Sequence, residues 1–484
     1  MEAKRQRKLA QQQEHLAQKS KENALLSAKL ALEQKNMAQM EQEKATKSEK
    51  NALLQKVIAE QQKAFADRQK AIAEHNATIA KQQQAIAETQ TKRAVSNEKI
   101  AVEQKQISSR LKDLAEARNL SYEAMLLLND KKFSESKQEV IDAYKLNAAN
   151  NGPLQNSDIY TAAQFNWTNA IQNKNQFGYH KYPVRGVVQG NSANQVLSVD
   201  ESGMIYLSGT VNGMLEPLTS IDLKDEARAI STSPDGSKVI VITATGTAVL
   251  LELNSRSTIK ELSRAAFPGI GKQVIFKSNS EVAILSSKGL GSYQIKGNLQ
   301  QTKFINGNFS TMSYGNGGQL YVAAGTKLAV YNGLEQFPEM PSGTFNLPSK
   351  ITSIALSNGG DYLALGTYEG RIWIKDLKSS KAASSFTPHA SSINELKFST
   401  VSGDVLQLAS ASSDQTIKLF DVKAVLNAKN TEDILTLRTH SKWVYCLWYT
   451  PDGKFLYTGS EDKRVIGWHT TMAGIYQFLT ANKN

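Results

Sequence analysis

LASASSDQTIKLFD (residues 408–421) and LYTGSEDKRVIGWH (456–469) share one pattern, and that pattern decides the fold. Each opens with a short run of apolar and small residues, turns at an acid (Asp414, Asp462), and resumes as a second run carrying β-branched residues. Short runs of this kind bounded by turn residues read as antiparallel strands. LALGTYEGRIWIKDL (363–377) repeats the layout, and Ser233-Pro234-Asp235-Gly236 supplies the same kind of turn further upstream. From Val184 onward the turns fall near Ser192, Asp235, Asn279, Asn316, Gly359, Gly403 and Asp452. Their intervals of roughly 37 to 50 residues match one four-stranded propeller blade each. Seven such units predict a closed ring.

The two quoted stretches resemble the WD-repeat family, whose blades carry a buried tetrad of His, Ser or Thr, Asp and Trp. The resemblance extends over residues 180–480. It implies a tetrad of His440, Thr458, Asp462 and Trp468 in the last blade. In the blade before it the resemblance implies His389, Ser410 and Asp414, with Phe420 in place of the Trp. The first five blades keep strand length and turn position but are expected to lack the set. The C-terminal run Ile475 to Leu479 is expected to supply the outer strand of the last blade. Aligning His389 with His440 sets Ser392 and Asn394 beside Trp443 and Tyr445, at positions that resemble the family's partner contacts on the narrower face. Trp and Tyr are common anchors at interfaces because they bury large areas at low entropic cost.

His, Ser and Asp are also the ingredients of acyl transfer. Recurring with blade geometry in the last two blades, they are read here as structural, since buried polar groups are normally paired. No catalytic residue is assigned. Phe267-Pro268-Gly269-Ile270-Gly271-Lys272-Gln273 lacks the first Gly and the terminal Ser or Thr of a phosphate-binding loop, and no Gly-x-Ser-x-Gly or His-Glu-x-x-His pattern occurs. His15, His75 and His469 have no ligand at metal spacing, so neither a metal nor a cofactor is expected. Cys446 is the single cysteine, which rules out an intramolecular disulfide and suits a reducing compartment.

Upstream of the β pattern the composition changes completely. No Gly or Pro occurs before Gly152, which points to continuous helix because both destabilise helix interiors. Stepping by seven from Leu9 to Leu114, twelve of sixteen positions are apolar, among them Leu16, Ile58, Ile72, Ile79, Ile86, Ile100 and Ile107. The unbroken phase predicts a left-handed coiled coil over residues 1–116. Gln62, Gln69, Gln83, Gln90 and Gln104 fall where a zipper would carry Leu, so self-association is expected to be weak. Residues 117–178 read as a helical adaptor, a single tetratricopeptide-like hairpin that fixes the angle between rod and propeller. Residues 179–484 complete the chain as the propeller.

Residues 1–116 hold 22 Lys+Arg against 15 Asp+Glu, within a net charge of +12 for the chain. The Lys residues alternate with Glu and Gln as on a solvated helix face, which disfavours nucleic acid as a partner. No stretch approaches the ~20 apolar residues of a membrane span. A membrane link is expected only through an upstream segment, and the expected location is the cytoplasm. The basic residues that follow Met1 at once suggest that the chain starts inside the coil, through truncation or a separately encoded effector.

Coil, adaptor and propeller in this order resemble the C-terminal halves of bacterial STAND-type signalling ATPases. The expected function is a non-catalytic protein-interaction scaffold or sensor, or else the regulatory arm of such an ATPase.

Overall fold

A computed structural model describes residues 2–29, 83–153, 155–254, 257–333, 337, 341–399, 406–427 and 434–481. The chain divides into two units, Met1–Lys105 and Gln106–Asn484. In the first, residues 2–29 form helix α1, exposed along its length, and helix α2 (Gln83–Asn129) begins. Leu9 and Leu16 of the heptad series are 61% and 67% exposed, and Ile100 is 49% exposed. Leu30 through Ile79 of that series lie outside the described residues, as does the side chain of Ile86.

The second unit opens with a helical cluster. It contains the end of α2, α3 (Phe133–Ala149) and α4 (Ser157–Ala170). Asn156 caps α4, its Oδ1 accepting the N–H groups of Asp158 and Ile159 at 3.0 and 3.2 Å. This satisfies two donors that a helix start leaves orphaned. Arg110 reaches from α2 to the end of α3, donating to the carbonyls of Asn150 and Asn151 at 2.7 and 2.9 Å. Ala117, Ala124, Val140, Ile159 and Ala163 are buried in this cluster, and Trp167 packs against Phe455 and His469 further along the chain.

The remainder is a ring of seven four-stranded antiparallel sheets. The inner strands are Val184–Gln189, Ala227–Thr232, Gly271–Phe276, Thr311–Tyr314, Ile351–Leu356, Ile393–Phe398 and Val444–Tyr449, for blades 1 to 7. The turns expected near Ser192, Asp235, Asn279, Asn316, Gly359 and Asp452 each fall between an inner strand and the next. Gly403 lies outside the described residues. In blade 6 a short helix, α5 (Val422–Leu426), follows the third strand.

Apolar clusters fill the spaces between neighbouring blades. Leu197, Ile205, Val239 and Val249 join blades 1 and 2, whereas Val187, Val196, Cys446 and Tyr457 join blades 7 and 1. At roughly 1.5–3 kcal/mol for each fully buried aliphatic side chain, this burial is the main force holding the ring.

Ring closure departs from expectation. The outer strand of blade 7 is Gln176–Phe177, from the N-terminal side of the propeller, with Gln176 opposite Ile466 and Phe177 opposite Val465. Ile475–Leu479 instead belongs to helix α6 (Met472–Ala481). The reason lies in spacing: Met472, Ile475 and Leu479 repeat at three and four residues, a helical face, and all are buried against the helical cluster. Tyr476 stacks on Tyr144 with ring centroids 4.3 Å apart. Phe177 is 1% exposed, and Arg464 donates to Gln176 Oε1 at 3.0 Å, so both residues of the closing strand are held by side chains. Gly459 sits at the same seam. A Cβ there would meet Cys446 Sγ at 2.5 Å and Val184 Cγ1 at 2.6 Å, so no larger residue fits without displacement.

Candidate interaction face of the propeller

The loops entering each inner strand and the turns joining second to third strands lie on one face of the ring. In blade 7 a hydrogen-bonded chain of side chains runs from the entry loop (His440) and this turn (Asp462) into the second and third strands (Thr458, Trp468). Trp468 Nε1 lies 3.0 Å from Thr458 Oγ1, Thr458 Oγ1 lies 2.7 Å from His440 Nε2, and His440 Nδ1 lies 2.9 Å from Asp462 Oδ2. The consistent assignment has each group donating to the next, with neutral His440 giving Nδ1–H to the carboxylate. Asp462 also accepts from Ser441 N and Arg464 Nη2 at 3.0 and 2.7 Å.

Burial alone raises the Asp462 carboxyl, but the hydrogen bonds it accepts from His440, Arg464 and the Ser441 backbone outweigh it and hold the group well below the usual range. Burial pushes His440 down, against the pull of Asp462.

Blade 6 repeats the arrangement with His389 Nδ1 at 2.9 Å from Asp414 Oδ2 and Nε2 at 2.6 Å from Ser410 Oγ. Phe420 offers no donor and instead packs edge-on against Phe386, centroids 5.1 Å apart.

A third set was not expected from the sequence. In blade 1, His180 Nδ1 is 3.0 Å from Asp200 Oδ2 and Nε2 is 2.8 Å from Ser198 Oγ. The expectation that the first five blades lack the set therefore fails for blade 1. His180 stands four residues before Val184, as His389 stands before Ile393 and His440 before Val444. The acid, however, follows Ser198 by two residues, whereas Asp414 and Asp462 follow Ser410 and Thr458 by four. Position relative to the inner strand was the available signal, and Ser-to-Asp spacing concealed it. In blades 2, 3 and 5 the same site before the inner strand holds Leu223, Phe267 and Leu347. The three polar sets thus occupy the adjacent blades 6, 7 and 1, at the closure. All three His side chains are 0% exposed, so their rings are closed to any substrate atom.

Six inner strands carry a β-bulge at their second residue: Arg185, Arg228, Lys272, Thr352, Asn394 and Tyr445. A bulge re-aims the side chain it carries. Thr352 Oγ1 donates to Ile393 O at 2.6 Å and Asn394 Nδ2 to Val444 O at 2.7 Å, each reaching the first residue of the next inner strand.

Of the four residues expected at a partner contact, Asn394 is therefore engaged between blades, and its Oδ1 also accepts from Ser413 Oγ at 3.2 Å. Ser392 is half-buried, with its carbonyl accepting from Ser413 N at 3.0 Å. Trp443 is 50% exposed and meets Tyr445 edge-on, with centroids 6.4 Å apart. The Arg185 guanidinium lies 4.4 Å from the centre of the Tyr445 ring and 2.9 Å from Glu201 Oε1. Arg228 continues the series, pairing with Glu201 at 3.6 Å and with Glu226.

Among the described residues no three His, Cys, Asp or Glu side chains converge on a metal-sized site, and no helix is long and apolar enough to cross a membrane.

A family model described as WD domain, G-beta repeat, matches residues 380–421 and 431–469. WD repeat and SOCS box-containing protein 1 of Danio rerio is 33% identical over 106 residues, 22% of this chain and 23% of that protein. Its counterpart in Mus musculus is 33% identical over 107 residues, 22% of this chain and 24% of that protein. The E3 ubiquitin-protein ligase COP1 of Pisum sativum is 32% identical over 111 residues, covering 23% of this chain and 15% of the ligase. The chain thus spans about a quarter or less of these relatives' length. Sequence match and blade geometry together identify blades 6 and 7 as WD40 repeats, set in a seven-bladed β-propeller.

Proposed function

We propose that this chain is a protein-interaction scaffold or sensor whose propeller engages a partner through the surface around Trp443 and Tyr445. The observation that carries the reading is a half-exposed Trp braced by Tyr445, which is in turn held under Arg185. A large aromatic anchor already fixed by its neighbours loses little entropy on binding. Residues 1–116 then act as a spacer that self-associates weakly and 117–178 as the adaptor, which also lends Gln176–Phe177 to the binding module of residues 179–484, in the cytoplasm. Recovery of bound protein from cell extract by the parent chain, compared with a Trp443→Ala, Tyr445→Ala double variant of unchanged melting temperature, tests this. Equal recovery overturns the surface.

The order of helix, adaptor and propeller also supports a second reading, the regulatory arm of a STAND-type signalling ATPase with a separately encoded effector. Co-purification of a nucleotide-hydrolysing subunit separates it from the free-standing scaffold.

A further inference from the structure

Charges on this face are arranged unequally around the ring. In blades 1 and 2 the guanidinium groups are neutralised internally, Arg185 and Arg228 by Glu201 and Glu226. In blades 3 to 5 the cations Lys272, Lys288, Lys350 and Arg371 are all exposed, and among the described residues none forms an ion pair with a carboxylate. Glu369 is the single acidic residue in the entry loops and second turns of those blades.

Backbone and side-chain bonds knit these positions into one surface. Ile270 N donates to Ser287 Oγ at 2.9 Å, tying the entry loop of blade 3 to the turn that carries Lys288. Gly307 N donates to Lys288 O at 3.0 Å, and Lys272 Nζ reaches Phe309 O at 2.9 Å, both in the entry loop of blade 4. Tyr368 N donates to Lys350 O at 2.9 Å in blade 5. Lys272 is lowered from its ordinary value by burial and by the like charge of Lys350, so an anion between them would relieve repulsion. Ile270 and Tyr368, 50% and 64% exposed, add apolar area along the same arc.

We propose that the arc of Lys272, Lys288, Lys350 and Arg371 docks an extended acidic peptide segment of a partner protein, with Ile270 and Tyr368 covering its apolar side chains. Four cations with no internal carboxylate are complementary to a carboxylate-bearing strand, and charge complementarity of this kind sets specificity and association rate. The proposal rests on the propeller being an interaction module and adds the chemistry of its partner.

The test measures fluorescence anisotropy of a labelled Glu-Glu-Leu-Glu-Glu-Leu-Glu peptide with the full chain. A version with Gln for Glu is run beside it. Binding is expected for the Glu peptide alone, weakening as ionic strength rises from about 0.05 to about 0.3 M. Lys272→Glu with Lys350→Glu should weaken it at least about tenfold, and Lys272→Gln with Lys350→Gln should weaken it less, both with parental melting. Lys296→Glu, the same change on the opposite face, should alter it less than about twofold.

Equal binding of the Glu and Gln peptides, or parental affinity in the Lys272→Glu, Lys350→Glu variant, overturns the proposal. So does arc-dependent capture of a DNA duplex without capture of the peptide. Peptide binding lost in the Trp443→Ala, Tyr445→Ala variant overturns the arc while supporting the other surface. Partner recovery that depends on Trp443 with no peptide binding at all overturns the arc alone.

Discussion

Trp468 donates its indole N–H to Thr458 Oγ1 at 3.0 Å, the same oxygen that meets His440 Nε2 at 2.7 Å. One hydroxyl therefore serves both rings, and removal of any member leaves another buried group unpaired. His440→Ala and Asp462→Ala are each expected to destabilise the propeller by about 1–3 kcal/mol. Trp468→Ala should cost about 3–5 kcal/mol through its cavity, and Trp468→Phe less, through the lost donor and the smaller ring. Urea unfolding monitored by circular dichroism measures all four, and an unchanged midpoint in His440→Ala would contradict a structural role.

Acid should destabilise the ring from two directions. His469 packs between Trp167 and Phe455, and burial lowers it from 6.5 to about 3. An unfolded chain binds a proton there that the folded chain refuses, so stability is full above pH 6.5 and falls as pH drops toward 3. Asp414 and Asp462, held low, add a loss beginning near the ordinary carboxylate range and continuing below it. His469→Phe is expected to flatten the decline between pH 6.5 and 4, read from melting temperature against pH.

A fragment of residues 180–484 would lack Gln176–Phe177 and the helices that cover Met472, Ile475 and Leu479. A fragment of 106–484 should melt cooperatively and well above a fragment of 180–484, by 10 °C or more on the scale of about 2–4 °C per kcal/mol. Equal melting temperatures would show that the closing strand contributes nothing.

Seam residues Ile100 and Ile107, 49% and 58% exposed, should mediate weak self-association of the whole chain. Ile107→Lys is expected to shift sedimentation toward monomer at high concentration. A parent chain that is already a strict monomer would refute the coiled-coil reading.

The blades were legible because each is a local object: turn residues and strand runs recur within about forty residues, and no distant information is needed to see them. Closure was not, because Gln176–Phe177 is too short to show a period and its partner lies at the other end of the ring. Ile475 and Leu479 read as strand once the last blade was assumed to finish itself. Their four-residue spacing, read alone, marks a helix. At the candidate site, Trp443 and Tyr445 could be placed by counting from His440, since the inner strand starts four residues after that His in three blades. The exposed cations of blades 3 to 5 escaped notice because charge pairing is set across loops that only the ring brings together. Lys272 and Lys350 are separated by a whole blade in sequence.

Gln176 and Arg464 meet across 288 residues of chain. During synthesis the closing strand emerges well before its partner. At translation rates of about 5–20 residues per second, Phe177 waits roughly 15 to 60 s before Val465 exists to cover it. By the end of that interval the growing chain holds six blades, an unpaired edge and an apolar helical face that awaits Met472, Ile475 and Leu479. The ring therefore closes only when the third strand of blade 7 and helix α6 have been made, and an arrest of the ribosome within that blade leaves the edge and the helical face uncovered.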